Sequence, residues 1–349
     1  MRIVYSPAQT LHHSLELDGG QLTFSWESPI RAVRVAERLS SDHEMIEPDP
    51  FDRDLAEQIH EPDYIDFLGK CWDGWVAAGK GASQAMPFTW PAVGMRDIRP
   101  SNLQGQLGYY SFAADCSIGP DTWTSVAVSA AAAQTAARLV TDDLAAAAAA
   151  STPVAFALCR PPGHHAGARQ FGGYCYFNNA AIAAQALLNV GLCPVAILDI
   201  DYHHGNGTQS IFYERDDVVF VSIHADPERE FPFFAGFADE LGSGDGNGAN
   251  LNLPLPLGTE PGEWLAALDR ANEWLARHRP EALVVSLGVD TYEHDPISKF
   301  KLPTDSFPTI GARVASLKLP TVLVMEGGYA TDALADNVAG FIAGYERGR

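Results

Sequence analysis

The chain has 349 residues, 46% of them hydrophobic, enough core for one large α/β domain or two smaller ones. Lys and Arg number 23 against 44 Asp and Glu, a formal charge of −21 that repels phosphate backbones, argues against nucleic acid and attracts a cationic small molecule. Cys71, Cys116, Cys159, Cys175 and Cys193 are scattered, odd in number and free of any C-x-x-C pair, which argues against a disulfide framework and for a reducing, cytoplasmic setting.

The start, "MRIVYSPAQT", reads as a first strand rather than as a charged segment followed by an apolar one. Residues 81 to 123, rich in Pro, Gly and aromatics, read as a long inserted loop, functional or at an interface. "VAVSAAAAQTAARLVTDDLAAAAAAS" is apolar, but Gln134, Arg138, Asp142 and Asp143 interrupt it, so it reads as a helix packed on a sheet and not as a membrane span. Beyond it, the runs "VAFAL", "VAILDI", "VVFVSI", "ALVVSL" and "TVLVME" are strand candidates. The helix candidates between and after them are "NNAAIAAQALLNV", "PGEWLAALDRANEWLARH" and "TDALADNVAGFIAGYER". "FADELGSGDGNGANLNLPLP", residues 237 to 256, reads as a Gly-rich loop. Near-continuous apolar strands alternating with helices predict a mostly parallel sheet with helices on both faces, in a single domain over residues 1 to 349.

Four of these strands end in chemistry. "VAFALCRPPGHH" leads to His164 and His165, "VAILDIDYHH" to Asp201 and His203, "ALVVSLGVD" to Asp290, and "TVLVMEGGY" to Tyr329. Ligands of open parallel sheets bind beyond the carboxyl ends of the strands, so the topology predicts that these groups share one site. Strand alternation puts Asp199, Asp201 and His203 on one face, where unneutralised carboxylates are costly. Asp201, His203 and Asp290 offer two oxygens and one nitrogen, a set of three that leaves a zinc ion room for water and substrate. His204 points the other way and reads as a hydrogen-bonded structural histidine.

In this order, "RPPGHHA", "GGYCYFNN", "DIDYHHGNGTQ", "SLGVD" and "EGGY" resemble the motifs of the histone deacetylase superfamily, and "ESPIRAVRVAERL" and "IHEPDYIDFL" extend the likeness over nearly the whole chain. Within it, "SNLQGQLGYYSFAADCSIGPDTW" and "IHADPEREFP" are similar to the bacterial acetylpolyamine amidohydrolases. The resemblance implies an arginase-like α/β fold with one Zn2+ per chain on Asp201, His203 and Asp290. It also implies a homodimer in which residues 81 to 123 narrow the active-site entrance, and a structural K+ near Asp199 with Ser222 close by. Arginases, the fold's cousins, hold two manganese ions with further acids, where this chain has Gly205 and Gly288. A binuclear site therefore lacks ligands.

The reaction implied is metal-assisted amide hydrolysis, which needs a base for the water and an acid for the leaving amine. The resemblance gives that task to His165, with His164 as its electrostatic companion oriented through Asp199. Asn206 stands where many histone deacetylases carry an acid, so the second histidine lacks a carboxylate partner. Tyr329 is expected to donate its hydroxyl to the oxyanion. Gly173, Tyr174 and Phe231 match positions that line the substrate channel in relatives. Glu16 and Asp115 are the candidate anchors for a distant positive charge, and Gln104 falls where a close relative offers another acid. The expected reaction is release of acetate from short acetylated diamines such as acetylputrescine and acetylcadaverine. A protein acetyl-lysine deacetylase and a non-catalytic binder of acetylated ligands are the alternatives.

Overall fold

In a computed structural model of the chain, which describes residues 1–146 and 152–349, ten strands are present. They are β1 (Arg2–Val4), β2 (Leu15–Asp18), β3 (Gln21–Phe24), β4 (Glu44–Ile46), β5 (Val154–Ala157), β6 (Val195–Asp199), β7 (Val218–Ala225), β8 (Asn250–Leu255), β9 (Ala282–Leu287) and β10 (Thr321–Met325). Eight form one sheet in the order β4-β1-β5-β10-β9-β6-β7-β8, every neighbouring pair parallel, while β2 and β3 make a separate antiparallel hairpin. The strands β5, β6, β7, β9 and β10 are buried at every position, because helices cover the sheet and leave neither face to water.

Helix Thr122–Ala145 packs with Asn179–Asn189 against the centre of the sheet. Its small side chains, Ala130 to Ala133 among them, allow that close approach. Pro261–His278, Phe307–Ala315, Leu334–Gly348 and Ile30–Leu39 form a second chain of packed neighbours. The last residues of the alanine-rich helix candidate, 147–151, lie outside the described residues.

Two strands of the large sheet depart from the expected pattern, and the hairpin β2–β3 was not expected at all. β8 falls inside the run read as a Gly-rich loop, and its Asn250 and Asn252 are buried polar residues that bind Gln209 and Glu240 instead of facing water. β4 has only three residues, too few for any periodicity to show. The segment from 81 to 123 contains a short helix, Leu103–Tyr109, and the start of Thr122–Ala145, and is otherwise irregular.

The order of the sheet explains the site. β5, β10, β9 and β6 are consecutive neighbours at its centre, and all four run the same way. Their carboxyl ends therefore open side by side, and the four chemistry-bearing strand ends become one cluster.

Candidate active site

β6 stops at Asp199, and residues 201 to 203 form a bend rather than more strand. The strand alternation expected for Asp199, Asp201 and His203 therefore does not carry through, and local hydrogen bonds do the orienting. The amide of Asp201 donates to Oδ1 of Asp199 (3.1 Å), and that of His203 to Oδ1 of Asp201 (2.9 Å). Such side-chain-to-backbone bonds are how aspartate shapes a tight turn.

Donor atoms of Asp201, His203 and Asp290 lie within 4.8 Å of one another, all three residues buried. Nδ1 of His203 is 3.1 Å from Oδ2 of Asp290 and 3.4 Å from Oδ1 of Asp201. The far oxygens are held by backbone: Gly327 N–H donates to Oδ2 of Asp201 (2.7 Å), and Tyr202 N–H to Oδ1 of Asp290 (2.9 Å). Glycines make room for this. A Cβ on Gly327 would stand 2.5 Å from Oδ2 of Asp201 and 2.6 Å from Oδ2 of Asp290.

Asp199, Asp201, Asp290 and Glu326 are all buried here, and two imidazoles, His164 and His203, make close contacts with them. Buried carboxylates ionise poorly without a counter-charge. Accordingly, burial and the charge of Asp201 push Asp290 up to about 7. Burial disfavours the His203 cation, yet hydrogen bonds and charge from Asp201 and Asp290 outweigh it and raise the imidazole to about 10. An excess of buried acid around an O, N, O donor set suits a divalent cation.

His164 and His165 stand beside this cluster, ring centroids 4.0 Å apart, in different electrostatic states. Nδ1 of His164 is 2.9 Å from Oδ2 of Asp199, and Nε2 is 3.8 Å from Oδ1 of Asp201. Burial opposes its charge, but the two aspartates prevail and raise it to about 10. Burial, then the charges of His164 and His203, hold His165 well below the ordinary imidazole range. Nδ1 of His165 is 2.7 Å from the amide oxygen of Asn206, which fixes the proton on Nδ1 and leaves Nε2 as a base.

Of these groups His165 and His203 reach a cavity of about 260 Å³, lined also by Asp115, Gly173, Tyr174, Glu230, Phe231, Phe233, Ile297 and Tyr329. Gly173 has φ +58°, and a Cβ there would stand 2.3 Å from the His165 ring, so the wall needs glycine at this point. Tyr174 packs edge-on against Tyr329, and Phe231 edge-on against His165. Tyr329 is fixed from behind: Asp295 Oδ2 accepts from the amides of Tyr329 (2.7 Å) and Ala330 (3.1 Å), and the guanidinium of Arg31 lies 4.7 Å from the ring centroid.

The sequence candidates separate here. Asp115 lines the cavity, with its two oxygens 2.9 and 3.0 Å from Gly173 N. Glu16, on the hairpin, does not line it; its carboxylate accepts from the hydroxyl of Tyr174 (2.5 Å). Ser222 is paired with Asp199 across β6 and β7, and His204 sits 3.3 Å from the Ser222 hydroxyl, outside the donor cluster. Gln104 lies on the exposed side of the insertion against Lys80.

Glu326, Arg31, Asp295 and Glu230 were not foreseen. Glu326 accepts from Gly163 N (2.6 Å) and His164 N (3.1 Å), which fixes the histidine pair to β10. An acid closing an apolar strand was the available signal, the same one that exposes Asp199.

Comparison with known proteins identifies the family. Residues 25–345 match the family model described as "Histone deacetylase domain". The chain is 46% identical to acetylpolyamine amidohydrolase 1 of Pseudomonas aeruginosa, over 99% of each chain. It is 43% identical to the acetylpolyamine amidohydrolase of Mycoplana ramosa, again over 99% of each. A crystal structure of the acetylpolyamine aminohydrolase from Burkholderia pseudomallei superposes with a TM-score of 0.91 at 39% identity, covering 100% of this chain and 99% of that one. With the matched domain spanning most of its length and relatives this similar along all of it, the chain belongs to the histone deacetylase family.

Proposed function

We propose that this protein hydrolyses the acetyl amide of acetylated polyamines, short diamines foremost, releasing acetate and the free amine. The observation that carries the reading is the O, N, O donor set, whose His203 lines a cavity with aromatic walls where a neutral histidine and a tyrosine also stand. Near-full-length similarity to proteins named acetylpolyamine amidohydrolases supports the substrate class.

Asp201, His203 and Asp290 would hold one Zn2+, which when bound supplies Lewis acidity at the amide carbonyl and acidifies a water. Gly205 and Gly288 leave a second ion without ligands. Tyr174, Phe231 and Phe233 wall off the amide from bulk water. His165, neutral and free at Nε2, takes the proton of the attacking water and returns it to the departing amine. His164, cationic through Asp199, disfavours a lasting second charge on His165 and so keeps that proton transferable. Tyr329 turns its hydroxyl to the developing oxyanion, its backbone held by Asp295 and its ring by Arg31.

Other readings rest on lesser support. Asp199 beside Ser222 suits a structural K+. Five free cysteines suit a reducing cytoplasm, and among the described residues no helix is long and apolar enough to cross a membrane. Exposed Phe88, Val93, Met95 and Ile98 in the 81–123 segment suit burial in a homodimer.

The test is a substrate panel with zinc-loaded enzyme: acetylputrescine, acetylcadaverine, acetylspermidine and an acetyl-lysine peptide. The acetyl-diamines should show the highest kcat/KM. Faster turnover of the peptide would move the protein to the protein-deacetylase reading, and no turnover of any would leave a binder.

A further inference from the structure

Three carboxylates stand in or near the cavity wall, and the chain uses two of them for itself. Glu16 is engaged by the Tyr174 hydroxyl and lies behind the wall. Asp115 faces the cavity, but it holds the amide of Gly173, the residue whose missing side chain gives His165 its place. Glu230 is different. It lines the cavity, is half-buried and enters no ion pair among the described residues.

The turn carrying Glu230 is built firmly. Asp226 O accepts from the amides of Arg229 (2.9 Å) and Glu230 (3.1 Å), and Glu230 O accepts from Phe233 N (3.0 Å). Phe233 takes the left-handed conformation, φ +64°, and lines the same cavity. Aromatic side chains thus flank the carboxylate on one segment, with Ile297 also in the wall. The buried phenol of Tyr202 is raised by burial and then by the charges of Glu230 and Asp290, so it stays a neutral neighbour. A carboxylate in such surroundings is partly shielded from water, which strengthens its attraction for a cation, and aromatic faces add to it.

Resting on the proposed function and deepening it, we propose that Glu230 is the specificity-determining anchor for the distal ammonium of the acetylated amine, and that Asp115 is a positioning residue for the channel wall. The chain then selects for a substrate with one protonated amine beyond the amide. This reverses the expectation drawn from the sequence, in which Asp115 and Glu16 carried that task.

The experiment compares acetylputrescine with N-pentylacetamide, which puts a methyl where the ammonium stands, using zinc-loaded enzyme. For the unmodified protein, kcat/KM should favour the charged substrate. Glu230→Gln should lower kcat/KM for acetylputrescine at least tenfold more than for N-pentylacetamide, chiefly through KM, and Glu230→Lys should widen the loss. The preference of the unmodified enzyme should narrow as salt rises. Asp115→Asn should lower both substrates alike, mainly in kcat, since it acts through Gly173 and His165. Glu230→Gln retaining the full charged preference, or Asp115→Asn abolishing it, would overturn this assignment and leave the deacetylase reading intact. Absence of any preference in the unmodified enzyme would instead overturn the proposed substrate class.

Discussion

Gly288 lies against Asp201 so closely that a Cβ on the glycine would stand 2.1 Å from Oδ2 of the acid. Gly205 stands in the same relation to Asp199, at 2.2 Å. The two positions where a binuclear relative would need acids are thus positions where no side chain fits. Gly288→Ala should displace Asp201 and lower zinc occupancy and activity together, as should Asp290→Ala, which removes a donor outright. Elemental analysis of the purified unmodified protein should give one ion per chain. Two ions per chain, or full occupancy in the alanine variant at position 288, would contradict the mononuclear reading.

Tyr329→Phe removes one hydroxyl and leaves the ring between Tyr174 and Arg31. If that hydroxyl stabilises the oxyanion, kcat should fall about a hundredfold or more with KM nearly constant. Steady-state kinetics on acetylputrescine decide the matter. A variant with near-normal kcat would leave Tyr329 only a packing role.

Much of the site was legible because its residues violate the strand pattern around them. Asp199 ends an otherwise apolar run, and His164 and His165 follow one. Such groups have few reasons to be at the carboxyl end of a buried strand other than a ligand. The choice among acids was not legible. Glu16, Asp115 and Glu230 are alike as letters, and only three-dimensional hydrogen bonding tells which carboxylates the chain has already engaged. β8 was hidden for a related reason: Asn250 and Asn252 look like loop residues until Gln209 and Glu240 appear as their buried partners. Arg31 was hidden by distance, since it supports β10 loop atoms 295 and 297 residues away.

His60 is buried between two backbone groups that require the neutral ring. Its Nδ1 is 3.0 Å from Gly167 O, and its Nε2 accepts from Asn178 N (2.9 Å). Burial lowers its pKa from the ordinary 6.5 to about 4. Between those values the unfolded chain binds a proton that the folded one refuses, so stability falls as pH drops from about 6.5 towards 4. The full contribution is roughly 3 kcal/mol, present above pH 6.5 and lost on acidification. His60→Gln should be less stable at neutral pH but lose less on going to pH 5, measured by denaturant unfolding at both. An identical pH dependence in the variant and the unmodified protein would contradict this.

Behind the tyrosine loop, Glu27 serves two arginines at once. Its Oε1 accepts from Nη1 of Arg31 at 2.8 Å and lies 3.0 Å from Nε of Arg160, with all three side chains nearly inaccessible to water. Arg31 extends the chain of support forward, donating through Nε to Gly328 O (2.6 Å) and through Nη2 to Glu326 O (2.5 Å). Arg160 reaches the opposite way, to His12 O (2.7 Å) and Glu27 O (3.1 Å). One buried carboxylate therefore serves two buried guanidiniums and offsets one of their two charges, and burial already holds Arg160 below its usual range. Glu27→Gln would leave both cations uncompensated, at a cost of about 3–5 kcal/mol in unfolding free energy. Because Arg31 also braces the loop of Tyr329, kcat should fall in the same variant even where the fold survives. Adding Arg160→Met to Glu27→Gln should recover part of the lost stability, since one unpaired charge is then gone, and the two changes should be non-additive. Guanidinium unfolding of the single and double variants measures both effects. A Glu27→Gln protein as stable as the unmodified one would mean that the two arginines find their compensation in carbonyl groups alone.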